Sequence, residues 1–169
     1  QIIIARRIGE RNLPEALRTL RTGLLIHVGI GIGLLVVGVL LNQGLLGSTI
    51  QDPGIRSMFE SFFSIRLLGF IPFSILLALN AFYTGTAKTW PILLVAAVTG
   101  TINILLDAAW VEGWFSVEPI GAIGAAWASV TAESIGCIVS CIILVRIAPD
   151  ILTSRTLLTS QKLRVWWEL

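Results

Sequence analysis

The sequence predicts an all-α membrane protein, a polytopic helical bundle with four transmembrane helices. Its composition is the first indication: 55% of the 169 residues are hydrophobic and 13% are charged, whereas an average soluble domain contains about 25% charged residues. The second is a set of four apolar stretches, each close to the roughly 20 residues that a helix needs to cross a bilayer. The third is the placement of lysine and arginine, which alternates between the loops as four spans require.

The four apolar stretches, which we name spans A to D, are joined by connections too short to form a soluble domain. No Asp, Glu, Lys or Arg occurs between residues 22 and 51, and span D is interrupted by a single charged residue, Glu133. We therefore predict one partial transmembrane domain over residues 1–169, ending in a cytoplasmic tail at residues 146–169. The expected spans cover about residues 22–41, 60–84, 90–113 and 119–145.

Basic residues predict which ends of the spans face the cytoplasm, because cytoplasmic loops are enriched in Lys and Arg. The A–B loop offers only Arg56, and the C–D loop has no basic residue. Both termini and the B–C turn are therefore expected on the cytoplasmic side. The basic residues on that side are Arg6, Arg7, Arg11, Arg18, Arg21, Lys88, Arg146, Arg155, Lys162 and Arg164.

Proline and small residues predict local features of the spans. Pro72 lies inside span B and should kink it, because proline lacks the N–H group that a helix interior needs. Gly29 and Gly33 in span A, and two rows of small residues in span D, should let neighbouring helices approach closely. The rows are Gly124, Ala128, Ala132, Gly136 and Ser140, and Gly121, Ala125 and Ser129.

Asp107, inside span C, is the residue for which a function is most strongly expected. An ionised carboxylate at membrane depth costs about 2.5–3.5 kcal/mol on insertion scales. Thr99, Asn103 and Asp107 are four residues apart, so they form one polar stripe on a helix. Their oxygens suit small cations, and a carboxylate can also carry a proton. The alternative is a stripe of structural hydrogen bonds between helices, which we favour for Thr99 but not for Asp107.

Two further polar residues within the spans have roles that stay open. Asn80, late in span B, either contributes to function or forms a hydrogen bond between helices. Glu133 either lines a cavity or pairs with a cation from a helix outside this chain. The single histidine, His27, cannot build a metal or haem site alone, and no spacing of nucleophile and base indicates catalysis. We predict a protein that is not an enzyme and that has no cofactor.

Three stretches of the sequence resemble the multidrug and toxic compound extrusion (MATE) transporters. QIIIARRIGERNLPEAL (1–17) is similar to the loop after that family's second helix, and LNAFYTGTAKTWP (79–91) to the end of its fourth helix and the next turn. NILLDAAWVEGWFSVEPIGAIGAAWASVTAE (103–133) is the most specific, and resembles the fifth helix, a short outer loop and the start of the sixth. Spans A to D would then be helices three to six of a six-helix N-terminal lobe, and we expect the other helices to lie outside this chain.

The resemblance implies an antiporter of twelve helices in two lobes, which exchanges protons or sodium ions for drugs or other organic, often cationic compounds by alternating access. Some members bind the coupling ion through an Asp on the first helix, which this chain lacks, and an Asn and an Asp on the fifth, which Asn103 and Asp107 match. Asn80 matches a fourth-helix Asn near the same pocket. Thr131 is a candidate for a hydroxyl from the sixth helix and, with Thr99 and Glu133, for the lining of the cavity.

The expected partners are the lipid bilayer, an organic cation or drug as substrate, and the missing helices of the same transporter, with no role for nucleic acid. The expected location is a bacterial inner membrane. One alternative is a flippase of the same superfamily for lipid-linked oligosaccharides or their precursors. Its cavity should carry basic residues to meet pyrophosphate, whereas these spans are nearly free of Arg and Lys. A second alternative is a structural membrane subunit that transports nothing.

Overall fold

The computed structural model describes residues 1–42, 50–114 and 118–149, and its regular elements are helices. Four crossings, Leu13–Leu41, Pro53–Gly85, Trp90–Trp110 and Ala122–Ile147, are long and apolar enough to span a membrane, which confirms the predicted fold class. The described residues end at Pro149, so most of the predicted cytoplasmic tail at residues 146–169 lies outside them. The helices are α1 (Ile2–Gly9), α2 (Leu13–Leu41), α3 (Pro53–Leu68), α4 (Phe70–Gly85), α5 (Trp90–Trp110) and α6 (Ala122–Ile147).

Capping side chains and prolines determine where several helices begin. The Asn12 side chain accepts a hydrogen bond from the Glu15 N–H at 3.2 Å, and Asp52 accepts two from the first turn of α3, at 2.8 and 3.0 Å. Such caps satisfy N–H groups that have no partner within the helix. Pro91 lies in the first turn of α5, where a missing N–H costs little. Because nothing interrupts α2 after its cap, the helix that contains predicted span A extends from Leu13 to Leu41, beginning ahead of the predicted span at residues 22–41.

The second crossing is broken at Gly69, which separates α3 from α4. Pro72 follows shortly afterwards. Because proline has no N–H group, it cannot donate a hydrogen bond to the carbonyl of Leu68, and the regular pattern of helical backbone hydrogen bonds is interrupted there. The Gly69 N–H instead bonds to the Arg66 carbonyl at 3.0 Å, as in a tighter 3₁₀ turn. The sequence predicts an irregularity in span B at Pro72, and the structure has a one-residue interruption at Gly69, three residues before the proline.

Small residues bring α5 and α6 together, as the sequence predicts for span D. A Cβ atom placed on Gly124 would lie 2.7 Å from the Trp110 carbonyl oxygen, and one on Gly136 would collide with the Thr99 hydroxyl. Side chains larger than glycine therefore cannot be accommodated at these two positions without a shift. This pair of helices shares the longest interface among the described elements.

Among the described helices, the close approach to α2 predicted at Gly29 and Gly33 occurs at a different glycine. A Cβ on either would meet no atom within 4 Å in the described part of the chain. The close approach to α4 occurs at Gly31, where a Cβ would lie 2.9 Å from the Ser74 Oγ and 3.0 Å from the Phe70 carbonyl oxygen. Residues two apart on a helix are separated by about 200°, so Gly31 faces α4 while the other two glycines face away.

A hydrophobic core lies where α1 packs against the start of α2 and the end of α4, and residues from the end of α6 belong to the same cluster. The core includes Leu20, Leu79, Phe82 and Tyr83. The hydroxyl of the fully buried Tyr83 donates a 2.6 Å hydrogen bond to the Ser140 carbonyl on α6. This bond fixes α4 against α6 on the side of the fold away from the Gly69 break.

Replacing Tyr83 with phenylalanine is expected to lower the free energy of unfolding by about 1 kcal/mol, the usual net contribution of one hydrogen bond. Denaturation in detergent micelles, followed by circular dichroism, measures the change. The matched control is Thr84→Val, because Thr84 bonds to the Asn80 carbonyl within its own helix and joins no two helices. Equal stability of the two variants would contradict the proposed role of the Tyr83 hydroxyl.

Candidate functional site

The polar stripe of α5 connects two separate groups of polar side chains. Thr99, Asn103 and Asp107 are half-buried, and successive members lie about 6 Å apart along the helix axis. Asp107 therefore lies about 12 Å along the axis from Thr99. The first group surrounds Asn103 and Asp107, and the second surrounds Thr99.

Asp107 has a carboxylate oxygen, Oδ1, that is buried and has no hydrogen-bond partner among the described residues. Buried polar atoms in folded proteins nearly always have such a partner, and an ionised oxygen without one is costly. A bound cation or proton would satisfy this oxygen. The residue lies near the end of α5, where its backbone carbonyl accepts a bond from the Val111 N–H at 2.8 Å.

Asn103 lies one turn before Asp107 and faces α6. Its amide nitrogen is 3.5 Å from the Ser129 Oγ, at the long limit of a hydrogen bond. Thr131, which the sequence suggested as the hydroxyl from this helix, lies two residues further and therefore on another side of α6. The α6 hydroxyl beside Asn103 is that of Ser129, which sequence reasoning had assigned only to a row of small residues.

The second polar group lines a cavity of about 300 Å³ between α4, α5 and α6. Asn80, Thr99 and Glu133 supply its polar atoms, and neither Asn103 nor Asp107 is among the lining residues. The structure thus brings Asn80 together with Thr99 and Glu133 and not with the carboxylate of Asp107. The remaining wall is formed by Phe73, Leu76, Ile92, Val95, Ala96 and Gly100.

Glu133 both lines this cavity and pairs with a cation, so the two interpretations of the sequence apply together. Its partner is Arg66 on α3, whose Nη2 donates to Glu133 Oε1 at 3.1 Å. The expectation of a partner from a helix outside this chain is corrected by this contact. Sequence reasoning missed the pair because no local spacing relates two residues so far apart. Nor did depth relate them, since Arg66 lies near the start of predicted span B and Glu133 near the middle of predicted span D.

Comparison with known proteins finds a matching family model and a similar curated protein. A family model described as MatE matches residues 1–109, a range that contains Asn80, Asn103 and Asp107 but not α6. The probable multidrug resistance protein NorM of Bacillus subtilis (strain 168) is 24% identical over 147 residues. The alignment covers 87% of this chain and 32% of that relative, so the chain spans about a third of the relative's length.

Proposed function

This chain belongs to the MatE family, the multidrug and toxic compound extrusion transporters, and from that premise we propose that it is part of a cation-coupled exporter of organic, often cationic compounds. The family and the four apolar crossings make it an integral membrane protein. Within the proposal, the coupling ion is a proton or sodium, transport proceeds by alternating access, and the membrane is a bacterial inner membrane with both termini cytoplasmic. The basic residues around α1, the start of α2 and the α4–α5 turn support this orientation.

The buried, unpartnered oxygen of Asp107 is the observation that carries the proposal. In the proposed mechanism the coupling cation binds this oxygen and neutralises a charge that the bilayer disfavours. The Asn103 amide nitrogen is directed to Ser129, which leaves the amide oxygen as a second ligand atom for the cation. An ion shifts a conformational equilibrium only if its affinity differs between the two conformations. In the proposed mechanism the two access states of the transporter differ in the separation of α5 from α6, and this difference changes the affinity for the cation.

Two other functions are less well supported by the same residues. A flippase needs free positive charge for pyrophosphate, and Arg66, the basic residue nearest the middle of the crossings, is already paired with Glu133. A structural subunit would use its polar groups as hydrogen-bonded contacts between helices, whereas the Asp107 Oδ1 has no partner within the described ranges.

Replacing Asp107 with asparagine is expected to abolish gradient-driven transport and to leave membrane insertion intact. The test uses the full-length transporter that carries this segment, reconstituted in liposomes, with ethidium transport driven by an imposed proton or sodium gradient. Applying the two gradients separately identifies the coupling ion. The matched control is Glu112→Gln, because Glu112 is an exposed carboxylate just beyond the end of α5. Undiminished transport by Asp107→Asn would reject the proposed role.

A further inference from the structure

We propose that the ion pair of Arg66 and Glu133 is a releasable latch between α3 and α6. When the latch opens, α3 moves away from α6 about the break at Gly69, while α4 stays in place. The latch and its hinge rest on the geometry of the described helices. The use of this movement in alternating access rests on the proposed function.

The two halves of the second crossing are held with different firmness in the described structure. Leu67, in the last turn of α3, is the single buried residue of that helix, whereas Leu79, Phe82 and Tyr83 are among several buried residues of α4. The helix α4 packs against α1, α2 and α6, and α3 packs chiefly on α6. Segments with few buried apolar contacts need the least free energy to detach. The half that ends at Gly69 is therefore the half that can move.

Side-chain hydrogen bonds attach α3 to two different neighbours. The amide nitrogen of Asn42, at the end of α2, donates to the Ser64 Oγ at 2.9 Å and to the Glu60 carbonyl oxygen at 3.2 Å. On the other side, Arg66 Nη2 donates to Glu133 Oε1 on α6 at 3.1 Å. Separation of Arg66 from Glu133 would thus detach α3 from α6 and leave it attached to α2.

The closed latch is only partly satisfied, so opening it costs little free energy. Arg66 Nη1 and Glu133 Oε2 are both buried and have no hydrogen-bond partner in the described structure. The two side chains are 34% and 21% exposed. Attraction between two desolvated ions offsets their desolvation only where the remaining polar atoms also have partners. Charged atoms without partners raise the free energy of the closed arrangement, which brings it close to that of an open one.

Gly69 links the latch to the hinge, because the carboxylate of Glu133 lies directly against it. A Cβ on Gly69 would lie 2.5 Å from Glu133 Oε2 and 3.4 Å from Arg66 Nη1. The ion pair therefore closes in the space that a side chain on Gly69 would occupy. The same residue is the point at which the helix is interrupted, so the latch acts at the position where α3 can turn relative to α4.

The test measures distances between helices in the full-length transporter in lipid nanodiscs, by pulsed electron paramagnetic resonance of paired nitroxide labels. One label pair joins Met58 on α3 to Ile142 on α6, and a reference pair joins Leu77 on α4 to Trp127 on α6. All four side chains are exposed in the described structure. The native cysteines are first replaced with alanine, so that labels attach only at the introduced positions.

Two variants of the ion pair should shift the α3–α6 distance in opposite directions. Glu133→Gln should raise the ratio of the longer to the shorter distance by roughly tenfold or more, because Arg66 then lacks its counter-charge. The double variant Arg66→Met, Glu133→Met should lower this ratio, because apolar side chains pack at least as well as a buried ion pair and gain no hydration on separation. The α4–α6 reference distance should stay constant in both variants.

The matched control is Arg56→Gln, which removes another ion pair of α3. Arg56 pairs with Glu60 at 2.8 Å within the same helix, so its loss should leave both distances unchanged. A higher proportion of the longer α3–α6 distance in the double methionine variant would overturn the proposal, because the ion pair would then simply stabilise the closed contact. Equal shifts of both label pairs, or no shift in either variant, would overturn it as well.

A steric variant tests the latch without changing a charge. The backbone of Gly69 is right-handed helical, with φ −66° and ψ −20°, so Gly69→Ala introduces no backbone strain and acts through its Cβ alone. We expect it to favour the longer α3–α6 distance several-fold by displacing Glu133 Oε2. The control is Gly100→Ala on α5, where a Cβ meets no described atom within 4 Å. An unchanged distance in Gly69→Ala would contradict a latch that closes against this glycine.

The distance measurements separate this inference from the proposed coupling role of Asp107, because they do not depend on transport. If Asp107→Asn loses gradient-driven transport but the α3–α6 distance ignores the ion-pair variants, only the latch fails. If Asp107→Asn transports normally while the two ion-pair variants shift the distance in opposite directions, only the coupling role fails.

Discussion

Replacing Gly31 with leucine is expected to lower the free energy of unfolding by about 3 kcal/mol, the upper range for an overpacked interior position. The contact partner is mostly backbone: a Cβ at this position would lie 3.0 Å from the Phe70 carbonyl oxygen and 3.2 Å from the Ile71 Cα. Side-chain rotation cannot relieve a clash with main-chain atoms, so α2 would have to move away from α4. In a membrane such packing, and not exclusion of water, holds helices together.

The measurement for Gly31→Leu is reversible unfolding in mixed detergent micelles, together with the fraction of monodisperse protein after purification. Gly33→Leu provides a close control, because it adds the same side chain two residues away, where no described atom lies within 4 Å of the new Cβ. Similar stability of the two variants would show that α2 does not pack on α4 through Gly31.

Gly124→Leu is expected to destabilise the fold by a similar amount, about 3 kcal/mol, and to disturb the Asp107 group as well. A Cβ here would lie 2.7 Å from the Trp110 carbonyl oxygen and 3.0 Å from its carbonyl carbon. That oxygen is held in place by a 2.8 Å hydrogen bond from the Ile120 N–H. The end of α5 would therefore be pushed away from α6, near the contact of Asn103 with Ser129.

Two readouts on Gly124→Leu test the two parts of this prediction. Unfolding in micelles reports the loss of packing, with Gly100→Leu as the control for stability on the same helix pair. Gradient-driven transport at a temperature where the variant is still folded reports the effect on the cation group. Full transport by a folded Gly124→Leu variant would show that the α5–α6 spacing at this end does not influence Asp107.

Features that depend on short stretches of the chain could be predicted from the sequence. The four crossings follow from apolar runs of bilayer length, and the helix starts at Asn12 and Pro91 follow from local capping chemistry. The break near Pro72 is also local, since it results from one missing N–H group. The stripe of Thr99, Asn103 and Asp107 needs only the period of a helix.

Features that depend on how the helices pack against one another could not be predicted from short stretches of the sequence. Gly29, Gly31 and Gly33 are equivalent in the sequence, and only the position of α4 selects Gly31. Ser129 and Thr131 offer the same hydroxyl group, and the rotation of α6 against α5 decides which of them lies beside Asn103. The Arg66–Glu133 pair similarly depends on the packing of α3 against α6, which no periodicity in either segment contains.

The interruption at Gly69 divides one passage through the bilayer into two segments with different main neighbours. The segment α3 packs chiefly on α6, and α4 packs chiefly on α2 while also contacting α6. Substitutions in α3 should therefore act first on its contact with α6, and substitutions in α4 first on its contact with α2.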